Sequence, residues 1–142
     1  WSSDVCSADL DRMNISESSA VAINSVAYND AAYTMNSINK LQTHKDVRAI
    51  VMITHTLPSP WLIEHDIDLV GSWRYNCMGN KHMQIALEED TENKIRVWCF
   101  GHYHKSVDRY HNGIRYVNNC RGRGDTEWCQ TAYYPKRITV EF

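Results

Sequence analysis

Two short apolar runs, residues 47–54 (VRAIVMIT) and 95–100 (IRVWCF), constrain this chain more than anything else in it. The first is rich in β-branched residues and too short for a core helix, so it reads as a buried strand of the kind found in parallel sheets. The second, centred on VWCF, reads as another. Each delivers the chain to a polar junction that carries histidine. After the first comes Thr54-His55-Thr56-Leu57-Pro58-Ser59-Pro60, and after the second Gly101-His102-Tyr103-His104. The two prolines forbid regular structure, and a polar loop at the C-terminal end of a buried strand is where α/β proteins place their chemistry. Beyond Gly101, which lets the backbone turn, an extended segment would put His102 and His104 on one face, about 6–7 Å apart at Cα. The two junctions can meet at one site if their strands are parallel neighbours.

Helical patterning precedes each strand. Residues 16–27, opening with Ser16 and Glu17, predict one helix. A second starts near Asn29 or Asp30, either of which can cap it, and carries Ala32, Met35, Ile38 and Leu41 along one slowly drifting face. His44 follows at its C-terminal end, where positive charge is favoured. Residues 80–89 predict a further helix with Met83, Ile85, Ala86 and Leu87 inward. Helix followed by strand, twice over, gives an α/β class. Residues 61–78 read as irregular, with Asp66 and Asp68 in a solvated loop. Ser106 to His111 and Ile114 to Asn119, joined by Asn112-Gly113, are a hairpin signature with a type I′ turn. A glycine-punctuated loop follows at residues 120–125, and the alternation of RITVEF at 137–142 predicts a final strand.

With 142 residues the chain is long enough for one domain with a real core. Its 15 basic and 17 acidic residues argue against a broad electrostatic nucleic-acid surface, so nucleic acid enters only as a substrate. No window of about 18 residues is apolar enough for a membrane span or signal peptide. Five cysteines without CxxC spacing form neither a disulfide framework nor a zinc cluster, and reduced thiols in a cytoplasmic protein are expected. Residues 1–10 (WSSDVCSADL) have no clear periodicity, and SSDVCSADL resembles translated sequencing-adapter DNA. A non-native or disordered leader is expected there, in place of lost upstream coding sequence.

Three imidazoles alone suit a mononuclear zinc site with an open fourth position. A binuclear centre, with ions about 3.5–4 Å apart, also needs bridging carboxylates. The combination of VMITHTLPSP with WCFGHYHKSVDRYHNGIRYVNNCRG resembles the C-terminal half of the calcineurin-like metallophosphoesterases, over roughly residues 29–142. That family has one strand ending in a metal-binding histidine and another ending in Gly-His-x-His. In one branch a Ser-x-Asp, a hairpin and an Asn-Pro-Arg-Gly loop follow.

The resemblance implies a four-layer αββα sandwich holding two divalent ions, commonly Mn, Fe, Zn or Ni, and metal-dependent hydrolysis of phosphate esters. It implies His104 as ligand of the first ion, and His55 and His102 as ligands of the second. Asn119 and Arg121 would stand beside the site, with Cys120 where the family has proline, and Asp108 would orient a histidine. The family's Asp-x-His, Gly-Asp-x-x-Asp and Gly-Asn-His motifs do not occur here. Gly79-Asn80-Lys81-His82 is interrupted by a lysine and lies after His55 instead of before it. Residues 11–142 are therefore expected to be the C-terminal half of such a domain, inactive alone, with the N-terminal half and a phosphate ester as partners. No catalytic acid or base is assigned within the chain. The alternative is a binding or scaffold domain that keeps the fold without the chemistry.

Overall fold

The computed structural model describes residues 17–121 and 133–140. The expectations for residues 1–10, for the glycines of the 120–125 loop and for residues 141–142 lie outside them. Helix α1 (Glu17–Gln42) leads into strand β1 (Ile50–Ile53), a 3₁₀ turn (Pro60–Leu62) and the short α2 (Trp73–Asn76). Helix α3 (Lys81–Glu88), β2 (Ile95–Cys99), β3 (Val107–His111) and β4 (Ile114–Asn118) complete the order. The strands form one mixed sheet in the order β1-β2-β4-β3. β1, β2 and β4 run parallel, and β3 returns antiparallel to β4. The architecture is mixed α/β.

The two helices predicted between residues 16 and 44 are one helix. No glycine or proline interrupts residues 17–42, so Asn29 and Asp30 stay inside it instead of capping. Its inward face is Ala31, Met35, Ile38 and Gln42, the i, i+4, i+7, i+11 pattern of a 3.6-residue turn. Leu41 is 40% exposed, because each three-residue step lags the helix by about 60°. Gln42 ties the helix end to the turn before β2: its amide donates to Glu89 O at 2.7 Å and its carbonyl accepts from Glu92 N at 3.1 Å. In α3 the Asn80 side chain accepts from His82 N at 2.9 Å, so this asparagine is a helix cap. Met83 and Ala86 face inward, Leu87 packs partly buried against the core, and Ile85 is turned out.

One sheet face lies on the core. Ile50, Ile95, Trp98, Ile114 and Tyr116 pack there with Ile38, Leu57, Leu62, Ile63, Met83 and Ala86. The other face is uneven. Val97 and Val117 are buried on it, but on β1 Val51 is exposed and Ile53 is 78% exposed. The run 47–54, expected to be buried, is thus covered on one side only. The predicted C-terminal strand is not formed over residues 137–140. Thr139 and Val140 instead line a shallow cavity with Arg96, Val97, Tyr110 and Arg115, and Lys136 pairs with Asp108. A segment laid over side chains cannot enter the hydrogen-bond ladder, whatever its alternation.

The hairpin is as expected: Asn112 (φ 48°) and Gly113 (φ 78°) both take positive φ, as a type I′ turn requires. Cys77, Cys99 and Cys120 are thiols. Among the described residues no helix is long and apolar enough to cross a membrane.

Candidate metal centre

The parallel pairing of β1, β2 and β4 brings their C-terminal ends to one edge of the sheet. The ladder continues past the strands. Thr54 N donates to Cys99 O at 3.0 Å, Gly101 N to His55 O at 3.0 Å, and Phe100 N to Val117 O at 3.0 Å. The Trp98 indole N–H donates to Thr54 Oγ1 at 2.9 Å, which fixes the residue before His55 to the centre of the sheet. Gly101 permits the close approach of the two junctions. A Cβ there would meet His55 O at 3.4 Å and its Nδ1 at 3.6 Å.

His55 and His102 face each other across this junction. His102 Nδ1 lies 3.2 Å from His55 Nε2, with the rings edge to face and their centroids 5.1 Å apart. Two imidazole nitrogens on one tetrahedral zinc, with Zn–N of 2.0–2.1 Å, stand about 3.3 Å apart. The pair therefore has the spacing of two ligands of one ion, and the same spacing holds one shared proton between the rings without metal. Burial, and then the neighbouring charges of His55 and His104, push the His102 pKa down, which favours the neutral imidazole that binds metals.

The segment carrying His102 is not extended. Tyr103 N donates to Gly101 O at 2.7 Å, closing a three-residue turn around His102, whose φ is +63°. This is a γ-turn of the rare positive-φ type. The positive φ falls on His102, where it costs strain, and not on Gly101. The turn breaks the extended alternation expected between His102 and His104. His104 is exposed and Tyr103 is buried between the two. Among the described residues, no three His, Cys, Asp or Glu side chains converge on one metal position. In metal-free protein His102→Gly is expected to be roughly 1 kcal/mol more stable than His102→Ala, since glycine alone takes this φ without steric cost. Urea melts of the two variants measure the difference, and coincident midpoints would mean an unstrained turn.

Asp66 departs from its expected place in a solvated loop. It is only 8% exposed, and its Oδ2 accepts from Tyr103 OH at 2.8 Å and from Lys105 Nζ at 2.7 Å. Asp68, its partner in the motif, is exposed. Asn118, also buried, donates to the carbonyls of Tyr103 and Lys105. Burial opposes the charged form of Asp66, but the hydrogen bonds from Lys105 and Tyr103, with the Lys105 charge, outweigh it and hold the pKa below its ordinary value. A carboxyl depressed in the folded state stabilises the fold above its unfolded pKa, near 3.9. That contribution is lost as pH falls through the folded value. The urea midpoint should therefore hold level down to about pH 5 and drop below about pH 4. In Asp66→Asn the drop should be shallower, and an unchanged acid limb would deny Asp66 this role.

The other candidates sit around the same edge with different partners. Asn119 and Arg121 follow β4 directly; the Asn119 amide donates to Tyr134 O at 3.0 Å, and Arg121 is exposed. Asp108 does not orient a histidine here. Arg115 donates to both of its oxygens at 2.9 Å, and Lys136 adds an ion pair. The hydrogen bond from Arg115 outweighs burial and holds the Asp108 carboxyl well below the usual carboxylate range. The cause is register: Asp108 is opposite Val117 and Tyr110 opposite Arg115, so Asp108 and Arg115 are diagonal neighbours on one face.

Sequence reasoning missed Asp66, Tyr103, Lys105 and Asn118 as parts of this edge. Comparison with known proteins adds nothing to the geometry: no family model, no curated protein and no solved structure matches the chain.

Proposed function

We propose that the chain carries the C-terminal side of a binuclear metal centre that hydrolyses phosphate esters. One observation carries the reading: His55 and His102 arrive from the ends of adjacent parallel strands and set two imidazole nitrogens 3.2 Å apart, a ligand spacing. The division of ligands follows the motif resemblance, with His104 on one ion and His55 and His102 on the other. A divalent ion there, Mn, Fe, Zn or Ni, would supply Lewis acidity toward a phosphoryl oxygen and activate a water. The protein's part is to hold the imidazoles and present Asn119 and Arg121 at the same edge, where a guanidinium can grip a phosphate by two hydrogen bonds.

In this reading the remaining ligands and the histidine acting as general acid come from a segment before residue 11. The open face of β1, with Val51 and Ile53 exposed, supports a second sheet packing there to complete a four-layer sandwich. The thiols suit the cytoplasmic location we propose with it.

The test is the coding sequence upstream of residue 11 and the activity of the protein it extends. The extended protein should hydrolyse bis(p-nitrophenyl) phosphate with added Mn²⁺ and lose that activity in EDTA. A second reading, a binding or scaffold domain without chemistry, draws on the lack of a three-ligand cluster among the described residues. Metal-independent folding with no turnover in the extended protein would favour it and sink the first.

A further inference from the structure

The turn that presents His102 is strained, and strain persists only where the surroundings over-determine it. The local backbone does not do this alone. The γ-turn is closed by one hydrogen bond, Tyr103 N to Gly101 O, and its exit runs through Tyr103 and Lys105. Both side chains end on one oxygen, Asp66 Oδ2, at 2.8 and 2.7 Å. Both carbonyls are gripped by the Asn118 amide. Residues 103 and 105 are thus held by side chain and by main chain at once, from β4 on one side and from the 60–71 loop on the other.

Asp66 is itself rigidly mounted. Its N–H donates to Ile63 O at 2.9 Å, and its carbonyl accepts from Leu69 N at 3.0 Å and Val70 N at 2.9 Å. Leu62 and Ile63, just before it, are fully buried. A carboxylate below the surface, on a loop anchored in the core, does not serve solubility. Its two partners lie on the exit of the turn that carries His102.

We infer that Asp66 is a positioning residue: through Tyr103 and Lys105 it holds the strained turn at His102, and so keeps the His102 imidazole against His55. The inference rests on the metal-centre reading for its purpose, but its geometry stands without a metal. A group that orients a ligand through another side chain typically changes metal affinity 10–100-fold when lost. Asp66 acts one step further back, on the backbone that carries the ligand.

The experiment uses the 142-residue chain and two readouts: the cross-peak between the His55 and His102 ring protons in metal-free NMR spectra, and Zn²⁺ affinity by calorimetry well below the melting temperature. In Asp66→Asn and in Tyr103→Phe the cross-peak should weaken or vanish, and Zn²⁺ should bind about tenfold more weakly or worse. Ile63→Val, which loosens the same loop without touching the carboxylate, should lower the melting temperature and leave both readouts in place, separating positioning from stability. If Asp66→Asn does not fold, Tyr103→Phe, which keeps the Asp66–Lys105 pair, carries the comparison. Retention of the cross-peak and of affinity within about twofold in the folded variants would overturn the inference. If the 142-residue chain binds no Zn²⁺, the cross-peak alone decides the role of Asp66, and the metal-centre reading stands or falls separately on the extended protein.

Discussion

Trp98→Ala is expected to have the largest effect on stability of any single substitution among the described residues. Trp98 is 0% exposed, pairs with Met52 on one side and Tyr116 on the other in the sheet, and is the largest of the fully buried side chains among the described residues. Removing a buried aromatic of this size costs about 3–5 kcal/mol through lost transfer energy and the cavity left behind. The indole N–H bond to Thr54 adds about 1 kcal/mol. Against a typical total of roughly 5–15 kcal/mol, the variant should melt at least about 10 °C lower, or without cooperativity. Circular dichroism reads this directly, and a shift of only a few degrees would mean that the core does not rest on Trp98. Thr54 immediately precedes His55, so the same substitution should blur the histidine site before the domain unfolds.

For function the largest effect is expected at His55. His55→Ala removes one of the two nitrogens that stand at ligand spacing, and should take Zn²⁺ affinity down by more than the 10–100-fold typical of losing a supporting contact. His55 is exposed, so the stability of the metal-free protein should change by no more than about 0.5 kcal/mol. His104→Ala should cost the 142-residue chain much less Zn²⁺ affinity, because the two nitrogens at ligand spacing belong to His55 and His102 and the proposed division puts His104 on the other ion. Calorimetric titration of the parent and both variants measures the contrast. Equal losses at the two positions would place His104 in the same site as His55, against the proposed division of ligands.

Both substitutions draw on features with different legibility in the sequence. The run before Thr54 and the run before Gly101 announced two strands, and parallel neighbours ending in histidine were a reasonable consequence of their burial. Asn112-Gly113 announced its turn outright, because few residues other than asparagine and glycine accept positive φ in succession. These signals lie within a few residues and need no knowledge of the partner. Helix α1 was half legible. Its apolar residues recur at three-residue spacing, which points Leu41 inward, whereas the 3.6-residue turn buries Gln42.

The candidate site shows where such reading stops. His102 and His104 were expected side by side on an extended backbone. One hydrogen bond, from Tyr103 N to Gly101 O, makes a turn there instead. Nothing in Gly-His-Tyr-His requires that turn without the groups that hold Tyr103 and Lys105 in place. Those groups are distant: Asp66 is 37 residues before Tyr103, and Asn118 is 15 after it. Asp108 illustrates the same limit, since its engagement with Arg115 follows from hairpin register and not from its own neighbours.

By itself the sequence determined the mixed α/β class, the two strand-to-histidine junctions and the hairpin, because backbone preference and hydrophobic period act over a few residues. The tertiary structure decided which imidazoles meet, which face of β1 stays open, and that Asp66 is buried against the histidine turn. Each of those depends on pairing between segments far apart in the chain, and their approach is set by strand register and core packing, which no short window contains.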